Sequence, residues 1–181
     1  MDQFLDLLDL PTAALRERIE QELSQNPVLL EKTFRVSIGT IDVFVNRVNR
    51  SDAGEYDLRL SDHGLSGLCI SQSCLDMYQD PGADLATKCY LEQKINQARR
   101  LLEKLEERQK ILQRVGEAIF QQQRAFLEHG PSHLVPLSVE QVAGEIGFEV
   151  LTVLRAVQGK QVRTPHGVFP LGLFMCDRPD N

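Results

Sequence analysis

The sequence predicts a mainly α protein with a small β-hairpin region: N-terminal helices, a β-hairpin, one very long helix and a helix-turn-helix. Three observations carry this expectation. From Ala86 to His129 there is no proline and a single glycine, Gly116, while Leu91, Ala98, Leu105, Leu112, Ile119 and Phe126 recur at every seventh position. Further on, Ser138 and Gln141 have capping-box spacing at the head of two short apolar-faced segments that flank Gly147. Between the N-terminus and the long helix, FRVSIGTIDVFVNRV and YDLRL are rich in strand-forming residues and are separated by the turn-forming NRSDAGE.

The elements follow in order. Residues 1–32 read as a short leucine-rich helix, a break at Pro11 and a second helix opened by Thr12, with Leu15, Ile19 and Leu23 along one face. Those three form a candidate partner-binding stripe. Asn26-Pro27 ends the helix, because a residue before proline is pushed out of the α region. Residues 34–84 form the small β-rich segment: the hairpin, a short strand at Leu68–Ile70 and a turn around Asp80-Pro81-Gly82. Residues 85–131 hold the long helix, about 65 Å from Ala86 to His129 at 1.5 Å per residue. Ile95 and Leu102 supply its second apolar row at first, and Gln109, Gly116 and Gln123 then interrupt it. That interruption argues against a continuous self-zipper, as an unrelated dimeric regulator would need, and leaves part of the helix for a partner.

Residues 136–174 carry the sharpest local signal. Ala143 permits close helix approach, Gly147 permits a tight turn, and Val153 packs back on the first helix. The apolar spacing assigns Val150, Val153, Leu154 and Val157 to the inner face of the second helix. Leu151, Thr152, Arg155 and Gln158 are left outside. Arg155 has the chemistry to pair bidentately with guanine, and Thr152 to meet a base edge or a thymine methyl. Lys160, Arg163 and His166, in a wing-like turn around Thr164-Pro165-His166-Gly167, are candidate phosphate contacts.

Charge bears on the partner. Twenty Lys+Arg against 26 Asp+Glu give a net charge of -6, which by itself counts against nucleic acid. The acidity is concentrated before residue 86, however, while residues 86–129 carry nine basic and six acidic side chains. No apolar run is long enough to span a membrane, and MDQFLDLLDL lacks the basic region of a secretory signal. Cys69, Cys74, Cys89 and Cys176 form no C-x-x-C pair, so reduced thiols in a cytoplasmic protein are expected and no metal site or cofactor is. Phosphate-loop, dinucleotide, zincin and nucleophile-elbow motifs are absent, so no enzyme is expected. His129 and His133 straddle Gly130-Pro131 rather than sharing a helix face as zinc ligands would.

Taken together, the residues from Ala98 to Phe174 closely resemble the third region of sigma-54 factors: a long helix, a helix-turn-helix and a T-P-x-G-[IV]-F-x-L-x-x-F tail. Thr164, Pro165, Gly167, Val168, Phe169, Leu171 and Phe174 match that tail. The segment from Ile41 to Ser71 resembles the stretch where the family has I-x-P-D-[VL]. LDLLDLPTAALRERIEQELSQNPVLLE resembles its first, activator-interacting region. The resemblance implies a transcription initiation factor that binds RNA polymerase core, contacts promoter DNA at a GC element and awaits an AAA+ ATPase activator. Thr152 and Arg155 match the family's T-[IV]-S-R recognition segment. Departures accompany the match. Leu151 and Leu154 replace two usual serines, His166 replaces the arginine of T-P-R-G, and the proline of I-x-P-D is missing at Ile41-Asp42. The core-binding subdomain expected between Glu31 and Phe34 and the C-terminal A-R-R-T-V-x-K-Y-R box are also missing, so the sequence reads as a truncated member. The alternative is a protein derived from such a factor that binds polymerase or activator without productive initiation.

Overall fold

The structure, a computed structural model, describes residues 7–31, 41–47, 56–61 and 67–175. Residues 34–40 and the NRSDAGE turn of the expected hairpin lie outside the described residues, as does Cys176. The chain forms two compact units. One comprises Ala13–Ile38 and Asp62–Glu107; the other comprises Met1–Thr12, Gly39–Ser61 and Arg108–Asn181.

In the first unit, helix α1 (Thr12–Gln25) stops where expected, at Asn26. The buried Asn26 side chain accepts from Val28 N–H at 3.1 Å, satisfying a backbone donor just past the break, and donates to the Lys94 carbonyl at 3.0 Å. Strand β1 (Leu29–Glu31) then pairs antiparallel with β4 (Leu68–Ile70), placing Leu29 opposite Ile70. Ser71 caps α2 (Gln72–Gln79) through Cys74 N–H. The long helix α3 (Leu85–Gln122) is launched by Asp84, whose carboxylate accepts from Thr87 N–H at 2.9 Å. The Thr87 hydroxyl, and after it that N–H, hold the exposed carboxyl below its ordinary range. Val28, Leu91 and Ile95 form one buried cluster of this unit, packed by Ile70, Cys74, Leu75 and Tyr78. Cys69, Cys74 and Cys89 are free.

The second unit contains α3 from Arg108 onward and a four-stranded sheet in the order β3-β2-β5-β6. Strands β2 (Val43–Arg47) and β3 (Tyr56–Leu60) are the expected hairpin, with Val43 opposite Leu60. Strands β5 (Gln161–Thr164) and β6 (Gly167–Pro170) form a second hairpin around Pro165-His166. The two hairpins join through a parallel pairing of β2 with β5, Val43 beside Val162. Asp42 reinforces the seam, accepting from Gln161 N–H at 3.0 Å. Val43, Val45 and Val162 are buried with Val115, Ile119, Phe126 and Phe174 in one core.

The continuous helix to His129 is corrected by the structure. α3 ends at Gln122, and α4 (Arg124–His129) begins after Gln123, whose φ of -92° and ψ of 26° interrupt the α-helical path. The cause is tertiary. The fully buried Gln123 amide donates to the Val135 carbonyl at 2.6 Å and accepts from Val135 N–H at 3.0 Å, tying the helix to the returning chain. Gly116 is also buried: a Cβ there would lie 2.9 Å from Leu58 Cδ1. Two of the residues that interrupted the apolar row therefore serve packing rather than solvent exposure.

Candidate nucleic-acid interface

The helix-turn-helix is built from α5 (Val139–Ile146) and α6 (Val150–Val157). Ser138 accepts from Gln141 N–H at 3.2 Å while the Gln141 side chain accepts from Ser138 N–H at 3.0 Å, the reciprocal bonds expected of the capping box. Gly147 sits at φ 71°, in the left-handed region that favours glycine, and both Gly147 and Phe148 N–H donate to the Ala143 carbonyl. Val142, Ala143 and Val153 are buried where the two helices meet the core. The Arg114 guanidinium lies 5.6 Å from the Phe148 ring centroid, fixing the turn against α3.

The faces of α6 differ from the apolar stripe read in the sequence. Val153, Ala156 and Val157 are buried, but Val150 is 37% exposed and Leu154 43%. On a helical wheel at 100° per residue, Leu154, Gln158, Leu151 and Arg155 follow one another across the outward arc. Leu151, 51% exposed, lies near its centre. Ala156 takes the inward place assigned to Leu154 because its small side chain permits close approach to the core. Thr152 is half-buried at the flank.

The remaining predicted contacts are divided between the surface and the interior. Gln158 and Arg163 are exposed; Arg163 lies on the outer side of β5, between the buried Val162 and Thr164. Arg155 is half-buried, its Nε 3.7 Å from Asp9 Oδ2. The other Asp9 oxygen, Oδ1, is buried with no hydrogen-bond partner among the described residues. Lys160 must be corrected as a phosphate contact: it is fully buried, and its Nζ donates to the carbonyls of Leu8, Leu10 and Gln158 at 3.1, 3.0 and 3.2 Å. Burial pushes its pKa down to about 8, aided by the nearby Arg108 charge and opposed by Asp42 and Asp9. Arg108, also buried, donates to the Leu7 and Leu10 carbonyls. Its pKa is lowered by burial and raised by Asp42.

His166 keeps an exposed surface, but its Nε2 is 2.9 Å from the Leu127 carbonyl; a carbonyl only accepts, so Nε2 carries the proton. Its ring packs edge-on against Phe126, which also meets Phe169 and Phe174 edge-on. The Thr164-to-Phe174 tail is thus largely a folding motif: the Thr164 hydroxyl bridges the turn, while Leu171 and Phe174 are fully buried. In α1, Leu15 and Ile19 are buried and Leu23 is half-buried, so this stripe is already covered within the chain. His129 and His133 come together despite the intervening turn, with ring centroids 5.0 Å apart. Among the described residues no group of three or more His, Cys, Asp or Glu could hold a metal ion. No described helix is long and apolar enough to cross a membrane.

A family model described as the sigma-54 DNA-binding domain matches residues 88–180, and one described as the sigma-54 activator-interacting domain matches residues 1–31. The chain belongs to the sigma-54 family. This family is one of sigma factors in transcription initiation rather than of enzymes. The sigma-54 match extends to individual proteins. The chain is 37% identical over 99 residues to an RNA polymerase sigma-54 factor of Rhodobacter capsulatus, covering 55% of this chain and 23% of that protein. It is 30% identical over 133 residues to the Azorhizobium caulinodans sigma-54 factor, covering 74% of this chain and 25% of that one. The chain therefore matches only about a quarter of the length of these curated relatives. Its fold resembles Aquifex aeolicus sigmaN in a crystal structure bound to promoter DNA, with a TM-score of 0.56 and 24% identity over 81% of this chain and 41% of that one.

Proposed function

We propose that this chain is a sigma-54-type transcription initiation factor that binds promoter DNA at a GC element through α6. RNA polymerase core and an AAA+ ATPase activator are its protein partners. The observation that carries the reading is the outward face of α6, presented by a capped helix-turn-helix with its tight glycine turn and carrying Arg155 within the segment matched to the sigma-54 DNA-binding domain. Thr152 at the flank, Gln158 on the outward arc and Arg163 on the wing supply further polar contacts. Arg155 reads guanine and Arg163 meets phosphate.

The test is a gel shift on GC-element duplex with and without core polymerase. A sequence-specific shift is expected, and Arg155→Ala costs about 1–3 kcal/mol on the cognate site. An equal loss on scrambled duplex would reduce Arg155 to a phosphate contact. The Asp9 carboxylate beside Arg155 favours a second reading, an interaction protein that binds polymerase or activator while its recognition arginine stays occupied within the chain. Co-purification with core polymerase and no discrimination between duplexes would select that reading.

A further inference from the structure

Two of the four side chains on the outward arc of α6 are aliphatic. Leu151 and Leu154 lie on the outward arc with Gln158 and Arg155, and Val150 continues the apolar strip toward the helix start. From Val150 to Gln158 there is no carboxylate, and the single charge is Arg155. Leucines there lose favourable burial unless something apolar covers them.

Two features of this face identify the cover. It is small: three aliphatic side chains on a helix of eight residues, bordered by Gln158, Arg155 and the acidic Glu149. A stable protein interface needs about 800 Å² from each partner, well beyond such a strip. Its place in the fold also matches DNA, because the second helix of a helix-turn-helix lies in the major groove. There the apolar group that distinguishes one base from the others is the C5-methyl of thymine.

We propose that Leu151 and Leu154 are specificity-determining residues that read thymine methyl groups, so that α6 selects thymines beside the guanine paired by Arg155. This rests on the DNA-binding reading above and adds the base class that the leucines select. The two contacts are complementary: Arg155 supplies a directional hydrogen-bonding pair, and the leucines supply shape and methyl burial on the same arc. Serine at these positions would instead hydrogen-bond base edges or phosphate, so the leucines shift preference from polar edges to methyls.

The experiment uses the full chain and the tightest duplex recovered from a randomised pool. Equilibrium binding is measured by fluorescence anisotropy on that duplex and on the same duplex with every thymine replaced by deoxyuridine, which removes only the methyls. The expected result is a loss of about fourfold for each methyl contacted, the value of one buried methyl group. Leu151→Ser and Leu154→Ser should each shrink that penalty, and the double variant should bind both duplexes equally. Because both side chains are exposed, the variants should keep the circular dichroism and melting of the parent. Equal binding of the parent chain to both duplexes would overturn the proposal while leaving DNA binding intact, as would an undiminished penalty in the double variant. Recovery of no duplex, with or without core polymerase, would overturn the DNA-binding reading itself and this inference with it.

Discussion

Asp9 and Arg155 sit 3.7 Å apart with the guanidinium partly exposed, and a pair of that kind is worth about 0–1 kcal/mol. DNA must displace this carboxylate before Arg155 can turn to a base. Asp9→Asn should therefore tighten binding of the tightest duplex by about threefold and steepen its salt dependence, because one more cation becomes available to the DNA. Unchanged affinity and slope would show that the pair does not compete. Lys160 makes a prediction of its own. Its pKa of about 8 lies below the ordinary lysine value of 10.5, so the folded state holds its proton less tightly than the unfolded chain. Below pH 8 its burial lowers stability; as pH rises from about 8 toward 10.5 the folded state sheds the charge first and the penalty lifts. Urea unfolding should show the parent gaining stability relative to Lys160→Met across that window, by an amount on the order of 2 kcal/mol. A parallel pH dependence in the two proteins would contradict this account. Neither role was legible in the sequence. Lys160 follows Gly159 in a turn, where an exposed lysine is the ordinary case, and its partners Leu8 and Leu10 lie at the other end of the chain.

The elements with local causes were the legible ones. Ser138 and Gln141 announce their helix within four residues, Gly147 ends it by its own backbone freedom, and Asn26-Pro27 ends α1 by steric exclusion. The end of α3 has no such mark, because Gln123 breaks the helix by bonding Val135, twelve positions later. Replacing Gln123 by alanine removes both hydrogen bonds to the backbone of Val135, an exposed residue. It should cost about 2–3 kcal/mol in chemical unfolding, despite the better helix propensity of alanine. Gly116 sets two effects against each other. Alanine gains about 1 kcal/mol of helix propensity but brings its Cβ to within 2.9 Å of Leu58 Cδ1, the flexible end of a side chain. Gly116→Ala should be near neutral, whereas Gly116→Val should destabilise by about 1–3 kcal/mol through overpacking. Equal melting of the valine variant and the parent would show that β3 yields at this point. The inward stripe of α6 is ambiguous in the sequence for a related reason: 3.6-residue spacing fits both Leu154 and Ala156, and only the closeness of the core selects the smaller side chain.

At the scale of the whole chain, α3 runs through two units with different degrees of burial. From Ile111 to Phe120 it presents Ile111, Leu112, Val115, Ala118, Ile119 and Phe120 to one extensive core. Near its start, Leu91 and Ile95 join Val28 in a smaller buried cluster of the other unit. Hydrogen exchange should divide the helix accordingly, with amides after Ile111 protected to the level of global unfolding and those before Ala98 opening at lower free energy. Uniform protection along α3 would mean that the helix opens as a single block. The parallel pairing of β2 with β5, absent from any local pattern, has a practical consequence for dissecting this protein. A fragment beginning near residue 88, where the DNA-binding match starts, would omit β2 and leave β5 with an open edge. Such a fragment would expose strand-pairing groups that the intact chain covers, and self-association would follow. Residues 41–61 therefore belong in any excised winged-helix piece, joined to it as a fused or co-expressed segment. In the cell, the ribosome must likewise finish the C-terminal wing before the early hairpin acquires its neighbour.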